Sequence, residues 1–97
     1  MREGDQTGAL PGQDLLECGI RDLERGVESA ESLLVSIGAP KLHRLGLTIP
    51  TPTREPEQRL YLLLREQHGD AAHSRYNALV RRLVSFERAA AGLARHA

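Results

Sequence analysis

Two stretches of the chain carry apolar residues at alternating spacings of four and three, which is the pattern of a helix with one buried stripe. The first stretch spans about 14–37 and the second about 70–95. The spacing predicts two long helices, each with a continuous heptad seam. The seams are Leu16, Ile20, Leu23, Val27, Ala30, Leu34 and Ile37 in the first helix, and Ala72, Tyr76, Leu79, Leu83, Phe86, Ala90 and Leu93 in the second.

Capping and helix-breaking residues set the expected ends of these helices. Gln13 or Asp14 begins the first helix, and Gly38 followed by Pro40 ends it. Asp70 is the expected N-cap of the last helix, which runs to about Arg95.

The chain between the two long helices predicts one shorter helix. Residues 40–45 favour a single helical turn, and 47–56 contains three prolines and favours an extended path. A helix beginning at Pro56 or Glu57 and ending at Gly69 has five consecutive apolar residues at 60–64. Because apolar groups then cover most of its circumference, we expect this helix to lie between neighbours or in an interface.

The expected fold is therefore all-α: a small oligomerising bundle of two long heptad helices and one shorter apolar helix. A chain of 97 residues has room for one domain, which we place at 13–97 after a flexible tail at 1–12. No apolar run is long enough to span a bilayer, and no signal peptide opens the chain. The single cysteine, Cys18, fits a reducing compartment, so we expect a cytoplasmic protein that does not bind membranes.

Charge is balanced over the whole chain but separated along it. There are 13 basic and 13 acidic residues, so the formal net charge is zero, which excludes a strongly basic nucleic-acid coat and an acidic tail. Residues 1–38 hold eight acids and three bases, whereas 39–97 hold five acids and ten bases. Heptad positions predict pairing between acids of the first helix and arginines of the last, either within one chain or between the chains of a dimer. The residues concerned are Glu17, Glu24 and Glu31 with Arg75 and Arg82.

A second row of arginines is not explained by that pairing. Arg81, Arg88 and Arg95 are seven residues apart on the outer face of the last helix. They form a candidate anion-binding stripe for phosphates or an acidic partner. We favour an ordinary solvated face, partly because the arginine-rich composition is typical of a bacterial-like, GC-rich genome.

No residue pattern specifies catalysis or a cofactor, and we predict neither a metal nor a catalytic site. The weak metal candidates are His68, Asp70 and His73, at a corner whose spacing matches no established ligand motif. Cys18 lacks a defined base and is interpreted as a small surface residue. Gly19 and Gly26, seven apart in the first helix, are interpreted as positions of close helix packing rather than tolerated imperfections.

The order of elements loosely resembles the helical chorismate mutases. A long helix precedes a short middle element with the one lysine, a Pro-Thr-Arg-Glu-Pro-Glu segment at 52–57, and a final helix. The resemblance implies an intertwined helical dimer that binds a dicarboxylate, with Lys41, Arg54 and Glu55 at the matching positions. The first helix departs from this pattern because its seam is entirely aliphatic and offers no inward arginine. The last helix also lacks the glutamine that the family carries.

These observations support three functional hypotheses in order. The first is a non-enzymatic helical module that binds itself as a homodimer or higher oligomer, or another protein, through the two seams. Its expected core and interface residues are Leu16, Ile20, Leu23, Val27, Leu34, Tyr76, Leu79, Leu83 and Phe86. The alternatives are a nucleic-acid-associated regulator that uses the arginine stripe, and a small helical enzyme of the mutase type.

Overall fold

The computed structural model describes residues 10–96, and for 94–96 it describes the backbone alone. This range is helical and contains no strand, which confirms the predicted all-α class. Most of the predicted tail, residues 1–9, lies outside the described residues. The helices in chain order are α1 (Gln13–Glu24), α2 (Ala30–Arg44), α3 (Pro56–His68) and α4 (Ala72–His96), and a 3-10 turn (Gly69–Ala71) joins the last two.

The single helix predicted at about 14–37 is wrong, because the structure divides it into α1 and α2. The break falls at Gly26, which is therefore not inside a helix; its φ of 72° lies in the left-handed region that favours glycine. Ser29 then caps α2: its Oγ accepts from the Ser32 N–H at 3.1 Å, and Ser32 Oγ accepts from the Ser29 N–H at 2.8 Å. Ser29 Oγ also donates to Asp22 Oδ2 at 2.6 Å, which ties the two helices together across the turn.

Helix α2 also continues past the predicted stop at Gly38 and Pro40, and it ends at Arg44. Pro40 removes one helical hydrogen bond, but tertiary burial of this segment outweighs that loss. The actual end is a Schellman motif at Gly46, whose φ is 98°. There the N–H groups of Gly46 and Leu47 donate to the carbonyls of His43 and Leu42, each at 3.0 Å.

Helix α2 is the centre of the molecule and contacts each of the other three helices. Its buried side includes positions from almost every direction around the helix, so no single apolar stripe describes it. Full burial of each leucine contributes roughly 1.5–3 kcal/mol. The buried residues of α2 are Ser32, Leu33, Leu34, Val35, Ser36, Gly38, Ala39 and Leu42.

The heptad seams contribute mainly to this intramolecular core. Leu16, Leu34, Leu83 and Phe86 are buried in it, and Ile20, Leu23, Tyr76 and Leu79 pack partly buried against it. Val27 departs from the predicted core, since it lies in the connection after α1 and is 47% exposed.

The proline-rich segment between α2 and α3 forms neither helix nor strand. Ile49 buries its side chain in the core, and the Thr53 N–H donates to the buried Ser36 Oγ at 3.0 Å. Ser36 Oγ in turn donates to the Ser32 carbonyl at 2.9 Å. A buried hydroxyl that is both donor and acceptor therefore fixes this segment against α2 and sets where α3 begins.

An ion pair fixes α3 on its other side. Arg59 donates through Nε and Nη2 to the Glu28 carboxylate, with the shortest contact at 2.7 Å. Both side chains are about half exposed, so the pair sets the orientation of α3 more than it adds to stability.

The closest approach of two helices is at Gly19, where α1 lies against α2. A Cβ at this position would clash with the Glu31 carbonyl oxygen and would lie 2.5 Å from Val35 Cγ2. The carbonyl belongs to the backbone of the central helix, so it cannot move aside without displacing that helix. Gly19 is therefore a position where any side chain forces α1 and α2 apart.

We predict that Gly19→Ala lowers the free energy of unfolding by about 1–3 kcal/mol, because the added methyl overpacks the α1–α2 contact. Gly92→Ala is the matched control, since Gly92 lies inside α4 and no described residue outside its own stretch of helix lies within 4 Å of a Cβ there. That variant should be neutral or more stable by up to about 1 kcal/mol, the difference in helix propensity. Urea unfolding monitored by circular dichroism measures both, and equal effects of the two variants would contradict the close approach.

Candidate functional site: the groove between α3 and α4

An open groove of about 600 Å³ runs along the outer surface between α3 and α4. This volume is within the range of pockets that hold small ligands or side chains of a partner. We call it the tyrosine groove, and its lining residues are Glu57, Gln58, Tyr61, Leu62, His73, Tyr76 and Asn77.

The hairpin of α3 and α4 creates this groove by burying one face of each helix. Gly69, with a φ of 56°, allows the chain to reverse into the 3-10 turn. Leu60, Leu64 and Ala72 then pack into the core. Leu62 is two positions from each buried leucine, so it lies on the outer face of α3 and is 63% exposed.

Two tyrosines form the floor of the groove. The rings of Tyr61 and Tyr76 lie edge to face, with centroids 6.1 Å apart and planes at 66°. This is a favoured arrangement for aromatic pairs, worth about 0.5–1.5 kcal/mol beyond burial. These are the only tyrosines of the chain, which has no tryptophan. Tyrosine fluorescence therefore reports on this groove alone.

The groove has an electronegative character. Its only formally charged lining residue is Glu57, and none of its lining residues is a lysine or an arginine. Burial raises the pKa of Tyr76 above its usual value, and the negative charge of Glu57 raises it further. Asn77 Nδ2 lies 3.3 Å from His73 Nε2 and donates to it, which leaves the Asn77 carbonyl oxygen as an acceptor.

The predicted arginine stripe lies on the exposed side of α4, but only part of it is described. Arg81 and Arg88 are exposed, and neither has an ion-pair partner among residues 10–96. The Arg95 side chain lies outside the described residues. The role of this stripe in binding nucleic acid stays a prediction.

The predicted pairing of the first helix with the last differs in detail. Arg82 Nη2 contacts Asp14 Oδ1 at 3.3 Å, with both side chains at least half exposed. Among the described residues, Glu24 and Glu31 form no ion pair, and Glu17 accepts instead from Gln13 Nε2 at 3.0 Å. The break between α1 and α2 removes the continuous register on which the prediction depended.

The corner between α3 and α4 brings the weak metal candidates into one turn. Asp70 lies within the 3-10 turn, and Ala71 is the residue directly before α4, so Asp70 is not at the N-cap position predicted for it. His68 is half-buried, and His73 is exposed at the mouth of the tyrosine groove. Within residues 10–96 no group of three or more His, Cys, Asp or Glu could hold a metal ion.

The residues suggested by the mutase resemblance lie outside the tyrosine groove. Lys41 is exposed on α2, and Arg54 and Glu55 are exposed just before α3. Cys18 is a free, exposed thiol on α1. The hypothesis of a small enzyme stays a prediction that no arrangement of these side chains supports.

One carboxyl group is buried away from every groove described above. Glu87 on α4 is 7% exposed, and its Oε2 would lie 3.2 Å from a Cβ at Gly38. Burial raises the pKa of the Glu87 carboxyl, and the positive charge of Lys41 opposes part of this shift. The carboxylate has no hydrogen-bond partner in the described part of the chain, so ionisation of Glu87 destabilises the fold.

Sequence reasoning missed the tyrosine groove as a site. Tyr76 belongs to the predicted seam, and the run at 60–64 predicts a helix between neighbours or in an interface without indicating which residue faces outward. The available signal was the run itself, because five consecutive apolar residues on a helix cannot all face one neighbour.

No protein-family model, curated protein or solved structure matches this chain. Among the described residues, no helix is both long enough and apolar enough to cross a bilayer. Functional inference therefore depends on the groove and the surfaces next to it.

We predict that Glu87→Gln changes the pH dependence of stability. In the wild type the folded state holds its proton more tightly than the unfolded state, so the free energy of unfolding falls as the pH rises through the raised pKa. Glutamine cannot ionise, so the variant should lack this fall and be more stable than the wild type at neutral pH. Urea unfolding at acidic and neutral pH measures this. Glu24→Gln, at an exposed position, controls for the lost charge, and parallel pH curves for wild type and Glu87→Gln would contradict the prediction.

Proposed function

We propose that this chain is a non-enzymatic helical interaction module that assembles with a second copy of itself through the outer face of α3 and α4. The observation that carries this proposal is Leu62, a large apolar side chain 63% exposed between two half-buried tyrosines. Tyrosine is enriched in protein interfaces, and an apolar patch rimmed by polar residues is typical of an interaction site.

This surface replaces the seams as the contact between copies. The seam residues with the largest burial pack inside a single chain, and using them in a dimer would require the core to open. The outer face of α3 and α4 requires no such rearrangement, because its apolar groups are already at the surface.

The charges near this face support a second copy as the partner. Asp70 stands just before the N-terminus of α4, whereas Arg81 and Arg88 stand further along the same helix. None of the three has an ion-pair partner among the described residues. A two-fold axis that packs α4 antiparallel to its copy would place the acidic end of each helix towards the basic half of the other. Such self-complementarity is what a symmetric dimer requires.

We predict that Leu62→Asp abolishes dimerisation, because it places a charge in the centre of the contact. Sedimentation velocity over a wide range of concentration should show a monomer–dimer equilibrium for the wild type and a monomer for this variant. Since Leu62 is exposed, the free energy of unfolding of the monomer should change by no more than about 0.5 kcal/mol.

Leu93→Asp is the matched control, since Leu93 is 59% exposed on α4 but lines a different groove, beside Phe86. It should dimerise like the wild type, and raised salt should weaken the dimer of both. A wild type that remains monomeric throughout, or a dimer lost only with Leu93→Asp, would overturn the proposal.

A further inference from the structure

The tyrosine groove presents hydrogen-bond acceptors without a cation to satisfy them. Its lining includes the Glu57 carboxylate and the carboxamide groups of Gln58 and Asn77, and one of the two Asn77 N–H groups already donates to His73. A groove with this lining disfavours anions and suits a donor-rich cation.

The tyrosine rings add a second attraction for a cation. The face of a tyrosine ring attracts a positive group within about 6 Å of its centroid, and more strongly where water is excluded. Tyr61 and Tyr76 both line the groove, and their ring planes are inclined at 66°. Leu62 beside them offers an apolar surface for the aliphatic stem that carries the charge.

A guanidinium fits these features better than an ammonium. It is planar and stacks on aromatic rings, and its donors are arranged to meet a carboxylate and neighbouring acceptors together. An ammonium is a more strongly hydrated point charge and would lose more on entering the groove.

The chain can supply this group itself. His73, Asn77 and Arg81 are four residues apart and share one face of α4. If a two-fold axis passes near Asn77, antiparallel packing of α4 on its copy places Arg81 of one copy opposite His73 of the other, because each is four residues from the axis. His73 lines the tyrosine groove, and Arg81 has no ion-pair partner in the described part of its own chain.

We propose that the tyrosine groove is a guanidinium-binding site and that Arg81 of the second copy occupies it in the dimer. The assignment of Arg81 rests on the proposed function, whereas the site itself depends only on Glu57, Tyr61 and Tyr76.

The test combines one arginine variant with a small-molecule probe. Arg81→Ala should weaken dimerisation roughly tenfold, the size of a partly desolvated cation–π contact. Arg75→Ala removes the same charge from α4, but Arg75 lines a different groove, so the dimer of this variant should match the wild type.

In the Arg81→Ala variant, N-acetyl-arginine amide should produce a saturable change in tyrosine fluorescence. N-acetyl-lysine amide should bind more weakly, and the further substitution Glu57→Gln should weaken the response.

The outcomes separate this inference from the proposed function. If the dimer forms but Arg81→Ala behaves like Arg75→Ala and the probe gives no response, the guanidinium site is wrong and the proposed function stands. If the wild type is monomeric yet its tyrosine fluorescence responds saturably to the probe, the site stands and the second copy is not its source. A monomer without a response overturns both.

Discussion

The burial of residues 32–39 of helix α2 on almost every side is the constraint on which the rest of this structure depends. A helical segment that is apolar all round is stable in water only when neighbours cover its whole circumference. Here the other three helices of the chain contact α2. Three parts of the chain are therefore arranged around α2: helix α1, the α3–α4 hairpin and the proline-rich segment. Each of them contacts α2 at one or two particular residues.

These contacts with α2 depend on small residues and hydrogen bonds rather than on long apolar seams. The absence of a Cβ at Gly19 allows the backbone of α2 to pack against α1. At Gly38 it leaves space for Leu83 and Glu87 of α4. The Ser36 hydroxyl donates to the Ser32 carbonyl within α2 and accepts from the Thr53 N–H, which holds the proline-rich segment against α2. Such contacts fix the distances between elements more tightly than apolar contacts alone, because a hydrogen bond or a missing Cβ tolerates little displacement.

The central position of α2 also explains why the proposed contact surface lies elsewhere. Since α2 packs against the inner faces of α3 and α4, apolar groups on their outer faces are less covered in the described part of the chain. Leu62 is therefore largely exposed and the two tyrosines are half-buried beside Glu57. The proposed self-association and the proposed guanidinium site both use this surface, one through its apolar centre and the other through its acceptors and ring faces.

Local sequence determined the helical class, the interruption of helix at the proline-rich segment, and most of α3 and α4, because these follow from short-range periodicity and from prolines and glycines. It did not determine where the first helix breaks. The heptad pattern runs unbroken from Leu16 to Ile37, since two helices of a hairpin that bury facing stripes give the same spacing as one long helix. Tertiary structure decided that Gly26 is a turn, that Pro40 lies inside a helix, and that Val27 is exposed. It also decided that Leu62 faces outward beside Tyr61 and Tyr76. Burial against α2 sets that choice, and burial depends on residues far away in the sequence.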